Sequence, residues 1–113
     1  MIDVRVIQNQ NQKPIGFQMK GHAGYAAYGQ DIVCAAVSVL VINTVNSIEE
    51  FTEDTFEYHQ DEKKDLVTFR ITSGEVSASA QLLLDSLVLG LKAIESEYGK
   101  KHIRVKTKRK QEV

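Results

Sequence analysis

The chain has 113 residues, 42% hydrophobic and 26% charged, with a formal net charge of −1. That is enough for one domain with a modest single core. The near-neutral balance excludes a global electrostatic attraction to nucleic acid or to a membrane surface. One cysteine excludes an internal disulfide and a cysteine-based zinc site of the usual kind. Charge is uneven locally: residues 49–65 hold eight acids against two lysines, and residues 100–113 hold seven bases against one acid.

Asp3 and Arg5 interrupt the first apolar stretch, so no signal peptide is expected there. Uninterrupted apolar runs such as 39–42 fall far short of the ~20 residues a membrane span needs. A reduced, cytoplasmic setting is the expectation, without membrane attachment, and it would keep the cysteine free.

Ile2, Val4 and Val6 alternate with Asp3, Arg5 and Ile7, which predicts a strand over 2–7. An Asn- and Gln-rich turn over 8–13 leads to the only proline. Ile15, Phe17 and Met19 then mark a second strand, and the hairpin delivers His22 at its exit. Residues 22–30 form a loop with Gly24, Tyr25, Tyr28 and Gly29. From Asp31 the spacing is helical to 49 or 50, with Asp31 as N-cap and Cys34 in the first turn.

A second hairpin is predicted from strands over 55–58 and 66–72 around the charged turn His59-Gln60-Asp61-Glu62-Lys63-Lys64-Asp65. A long helix over 75–98, opened by Ser73 or Gly74 and stopped by Gly99, precedes a last strand over 103–107 with a basic outer face. The final residues, 108–113, could be disordered. The order β-β-α-β-β-α-β predicts one α+β domain, with a mainly antiparallel sheet of about five strands packed against two long helices. Ile32, Val39 and Ile42 point away from the stripe of Val33, Ala36, Val37, Leu40 and Val41, and the second helix is apolar nearly all round. Such helices must be covered on more than one side, which predicts a homodimer.

Chemistry concentrates at Cys34. A thiolate is a far better nucleophile than a thiol, and a helix N-terminus with a nearby imidazolium would lower the thiol pKa. His22 is the candidate base and acid, and amides of the first turn are candidate oxyanion donors. A carboxylate beside the thiolate would raise its pKa, so Asp31 is expected to cap the helix or to orient His22 rather than face the sulfur. Ser38 lies one helical turn beyond Cys34 and could hydrogen-bond near it. Plainer readings stand beside these: Cys34 as a small buried hydrophobe, His22 as a loop histidine, His59 and His102 as solvated side chains, and the glycines as turn residues. No cofactor or metal is expected.

The stretch Gly21-His22-Ala23-Gly24-Tyr25-Ala26, followed by Gly29 and by Asp31-Ile32-Val33-Cys34-Ala35-Ala36-Val37-Ser38, resembles the signature of the ribosomal-processing cysteine protease family, Prp. The resemblance extends over essentially the whole chain. It implies a catalytic dyad of His22 and Cys34, with Gly21, Asp31 and Ser38 matching the pattern in supporting positions. It implies as substrate a bacterial large-subunit ribosomal protein with a short N-terminal extension, and a homodimer whose glycine-containing loop (Gly24, Tyr25, Tyr28, Gly29) adjusts to substrate. The acidic run could attract a basic target, and the C-terminal bases could touch ribosomal RNA or guard a sheet edge. A non-enzymatic ribosome- or RNA-associated factor using the basic strand is the alternative from another class, and a redox-sensing thiol is a third.

Overall fold

In a computed structural model describing residues 1–27 and 30–109, the alternating stretches become strands β1 (Ile2–Gln8) and β2 (Pro14–Lys20). The chain continues through α1 (Ile32–Phe51), β3 (Phe56–Asp61), β4 (Leu66–Ile71), α2 (Ala78–Tyr98) and β5 (Ile103–Arg109). The five strands form one sheet in the order β3-β4-β2-β1-β5, antiparallel except for the parallel pair β1 and β5. The fold is therefore α+β with a mainly antiparallel sheet, as the element order implied, and the parallel pair of β1 and β5 makes that sheet mixed.

Period-two alternation sends Ile2, Val4 and Val6 to the helical side, each at most 4% exposed. In register beside them, Phe17 stacks on Phe69 with ring centroids 5.2 Å apart, and Phe56 tilts against Phe69 at 5.1 Å. On the opposite face Arg5 lies beside Lys106, and Asp3 beside Arg104. The first hairpin closes through Asn9, whose Oδ1 accepts from the amides of Asn11 and Lys13, while Gln12 takes a positive φ of 61°. At Gly16 a Cβ would run into the Phe69 carbonyl oxygen, so β2 and β4 approach at a position that only glycine fills.

Both helices lie on the inner face. α1 buries Val33, Val37, Val41, Thr44, Val45 and Ile48 at helical spacing and leaves Ile32, Val39 and Ile42 more than half exposed. By length and composition α1 is apolar enough to cross a membrane, yet this stripe is part of the core. Gly90 of α2 gives way to Leu40 of α1, where a Cβ would meet the leucine Cδ1 at 2.9 Å. Val105 of β5 donates its amide to Glu95 Oε2 of α2 at 2.7 Å, which ties the last strand to the helix before it.

Three boundaries differ most from the sequence reading, the others by only a residue or so. α2 starts at Ala78 with Ser77 as N-cap, not near 75, because Asp54 Oδ2 accepts from Ser73 Oγ and the Ser77 amide and holds 73–77 as a bend. β3 runs on through His59, Gln60 and Asp61, so the charged turn shrinks to 62–65. Asp61 Oδ1 accepts there from the amides of Lys63 and Lys64, and Asp65 adopts φ 49°. Lys108 and Arg109 continue β5 opposite Ile7 and Gln8, and residues 110–113 lie outside the described residues. Gly99 ends α2 as expected, at φ 94°.

Candidate active site

Asp31 is the hinge of the site. Its Oδ1 accepts from the amides of Val33 and Cys34, both at 3.0 Å, which caps α1 and places Cys34 in the first turn. Its Oδ2 accepts from the Tyr25 amide at 3.0 Å and draws the preceding loop onto the helix end. Burial works against this carboxylate, but the amides of Cys34, Tyr25 and Ala26 outweigh it and hold its pKa below the ordinary range. Of the two roles open to Asp31, the structure selects the cap.

The partner of His22 is instead Asp65, with Nε2 to Oδ1 at 3.0 Å. Sequence reasoning missed this residue, because nothing in a turn crowded with charge marks one carboxylate. The pairing follows from the sheet. β2 lies beside β4 with Lys20 opposite Leu66, so the next position sets Gly21 beside Asp65 and brings His22, one residue on, within reach of its carboxylate. The Gly21 amide donates to the Asp65 carbonyl at 3.0 Å and fixes the junction. Gly21 has φ +97°, and a Cβ there would collide with the Met1 carbonyl oxygen, so its role is to let the backbone turn.

Cys34 is half-buried, and its Sγ accepts from the Ala23 amide at 3.3 Å. Its pKa is raised, so the lowering expected of the helix start and an imidazolium does not prevail. Burial is the main cause, the Asp31 carboxylate adds to it, and the Ala23 amide and the positive amino terminus pull the other way. The first-turn amides expected to receive an oxyanion are also taken: Val33 and Cys34 donate to the Asp31 side chain, and Ala35 donates to the Asp31 carbonyl at 3.0 Å.

These signs give a direct prediction. Asp31→Asn keeps the cap through its amide oxygen, loses the tie to Tyr25, and removes the negative charge beside the sulfur. A raised thiol pKa means that the thiolate fraction climbs only as pH rises above neutrality. The variant should therefore react with iodoacetamide at lower pH than the parent protein. The pH profile of alkylation, clean because the chain has one thiol, checks this; a profile unmoved or displaced upward would contradict the electrostatic account.

Two clefts meet at the sulfur. One, of about 510 Å³, runs toward Met19, Asp61, Glu62 and Asp65; the other, of about 480 Å³, toward Gly24, Ala26, Asp31 and Ala35. His22, Cys34 and Ser38 line both. Ser38 is exposed one turn beyond Cys34. The first cleft has an acidic wall and the second is lined mainly by small side chains.

Tyr25 is less free than the loop reading supposed. Its ring meets Tyr98 and His102 edge-on, with centroids 5.4 and 5.2 Å apart. Tyr28 and Gly29 lie outside the described residues. His59 is exposed on β3, whereas His102, expected to be solvated, is half-buried with Nδ1 2.9 Å from the Ala23 carbonyl oxygen. Among the described residues, no group of three or more His, Cys, Asp or Glu side chains could hold a metal ion.

Comparison with known proteins identifies the family. The family model for cysteine protease Prp matches residues 1–104. The chain belongs to the Prp family of cysteine proteases. It is 31% identical over 110 residues to the ribosomal processing cysteine protease Prp of Bacillus subtilis, covering 95% of this chain and 97% of that protein. It is 34% identical over 99 residues to the protein of the same name from Staphylococcus aureus strain Mu50, covering 87% and 92%. The fold matches a crystal structure of the essential ribosomal processing protease Prp from S. aureus with a covalently linked product peptide, at TM-score 0.88 and 32% identity, over 96% of this chain and all of that one. A second S. aureus Prp structure, in complex with a substrate peptide, matches at TM-score 0.83 and 31% identity over the same shares. Prp membership makes the chain a cysteine protease, and the reading as a non-enzymatic RNA-associated factor gives way to it.

Proposed function

We propose that the chain is a cytoplasmic endopeptidase that removes the short N-terminal extension of a bacterial large-subunit ribosomal protein, with Cys34 as nucleophile and His22 as its base and acid. One observation carries the assignment of the nucleophile: a cysteine protease needs a reactive thiol, and this chain has a single one, at the junction of two clefts that His22 shares. The relatives named as ribosomal processing proteases supply the substrate class.

His22 removes the thiol proton, and the sulfur attacks the scissile carbonyl carbon to form the C–S bond. The C–N bond then breaks as the imidazolium returns its proton to the leaving amine. Water, deprotonated by His22, attacks the thioester and releases the new carboxylate and the thiol. In the resting geometry Asp65 holds Nε2 of His22, which leaves Nδ1 as the ring nitrogen to turn toward the sulfur. Asp65 is thus a positioning residue. With a side chain 58% exposed, the His22 ring has room to turn. The direct test is incubation with the extended ribosomal protein and mass spectrometry of the product; no new N-terminus would overturn the substrate assignment.

The same reading includes a homodimer. Leu82 and Leu89 of α2 are 69% and 73% exposed and Val39 of α1 is 66% exposed, apolar surface that a second copy would cover. Sedimentation should report a dimer at micromolar concentration, and a monomer alone would remove this part.

A further inference from the structure

We infer that the backbone amide of Ala23 is the donor serving the reacting centre, stabilising first the Cys34 thiolate and then the oxyanion, and that His102 is the residue that positions it. The inference rests on the reading of Cys34 as nucleophile. Among the described hydrogen bonds, the amides of Val33, Cys34 and Ala35 are committed to Asp31, whereas the Ala23 amide points at Sγ from 3.3 Å. An amide already aimed at the sulfur lies next to the carbon that the sulfur will attack, and a small shift carries it from the thiolate to the developing oxyanion.

What keeps Ala23 there is its other backbone group. A carbonyl oxygen can only accept, so the 2.9 Å contact requires that His102 Nδ1 carry the proton and donate. His102 is itself rigidly placed. Its amide donates to Gly99 at 3.0 Å, its carbonyl accepts from Ile2 at 2.8 Å, and Tyr25 packs edge-on against its ring. The Ala23 side chain is 1% exposed in the core, so the residue is held at both its methyl and its carbonyl. The clasp crosses the whole chain, from the turn after α2 to the residue next to His22. A loop of this composition would otherwise let the amide wander.

The experiment compares His102→Phe, His102→Gln and His102→Asn. Phe keeps the aromatic contact with Tyr25 but has no donor; Gln carries its nitrogen further out, near the Nε2 position; Asn places an N–H where Nδ1 stands. Two measurements are made on each folded variant: kcat and KM for peptide cleavage, and the pH profile of Cys34 alkylation by iodoacetamide. The charged groups around the sulfur, Asp31, His22, the amino terminus and Asp61, Glu62 and Asp65 across the cleft, are unchanged in all three. Phe and Gln should lower kcat by roughly 10- to 100-fold with little change in KM, and should move the alkylation profile upward by on the order of one pH unit. Asn should restore both. An unmoved alkylation profile in Phe and Gln, or an Asn variant as impaired as they are, would overturn the inference. Alkylation reports on the thiol without turnover, so an error in the assigned nucleophile would show separately, as cleavage that survives Cys34→Ala.

Discussion

Cys34→Ala should abolish cleavage of the extended ribosomal protein, a loss of at least about 10⁴-fold, with the fold retained. No second thiol exists to take over, and water attacking without a covalent intermediate would face the full barrier of amide hydrolysis. The structural change is small: one half-buried sulfur is removed, and the Ala23 amide loses an acceptor beside a cleft that water can enter. Stability should shift by no more than about 1 kcal/mol. Cys34→Ser should be nearly as inactive, because a serine hydroxyl is a much weaker acid than a thiol. Mass spectrometry of the product N-terminus measures the first effect and thermal unfolding the second. A folded Cys34→Ala protein that still cleaves would end the covalent mechanism.

His22→Ala should cost about 10²- to 10⁴-fold in kcat, and Asp65→Ala about 10-fold. Both side chains of the pair are substantially exposed, 58% and 44%. Water and salt screen such a pair, so it adds little to folding stability. The loss in Asp65→Ala must therefore appear in kcat with the melting temperature unchanged. A double variant separates orientation from independent action: if Asp65 works only by holding the ring, its removal changes nothing once His22 is alanine. Independent, multiplicative losses, or an Asp65→Ala enzyme as fast as the parent, would remove Asp65 from the machinery.

Local chemistry was legible wherever its partners lie within a few residues. The N-cap at Asp31, the stop at Gly99 and the buried stripe Val33, Val37 and Val41 follow from spacing and side-chain chemistry within one element. The start of α2 was misread because Asp54, far upstream, captures Ser73 and Ser77. The loop-helix stretch from Gly21 to Ser38 was specific enough to indicate the family, which the family-model match over residues 1–104 bears out.

What the amino-acid order determined alone was thus the inventory: one thiol, a capped helix that presents it, and strands whose alternation decides which face is buried. What tertiary structure decided was every partnership across the sheet. Pairing β2 with β4 set Asp65 against His22, and pairing β1 with β5 in parallel brought His102 to Ala23. The direction of the Cys34 pKa belongs to the same class. Helix start and histidine argue for a lowered value, but desolvation is a property of how deeply packing sets the sulfur, and no local window of residues encodes depth.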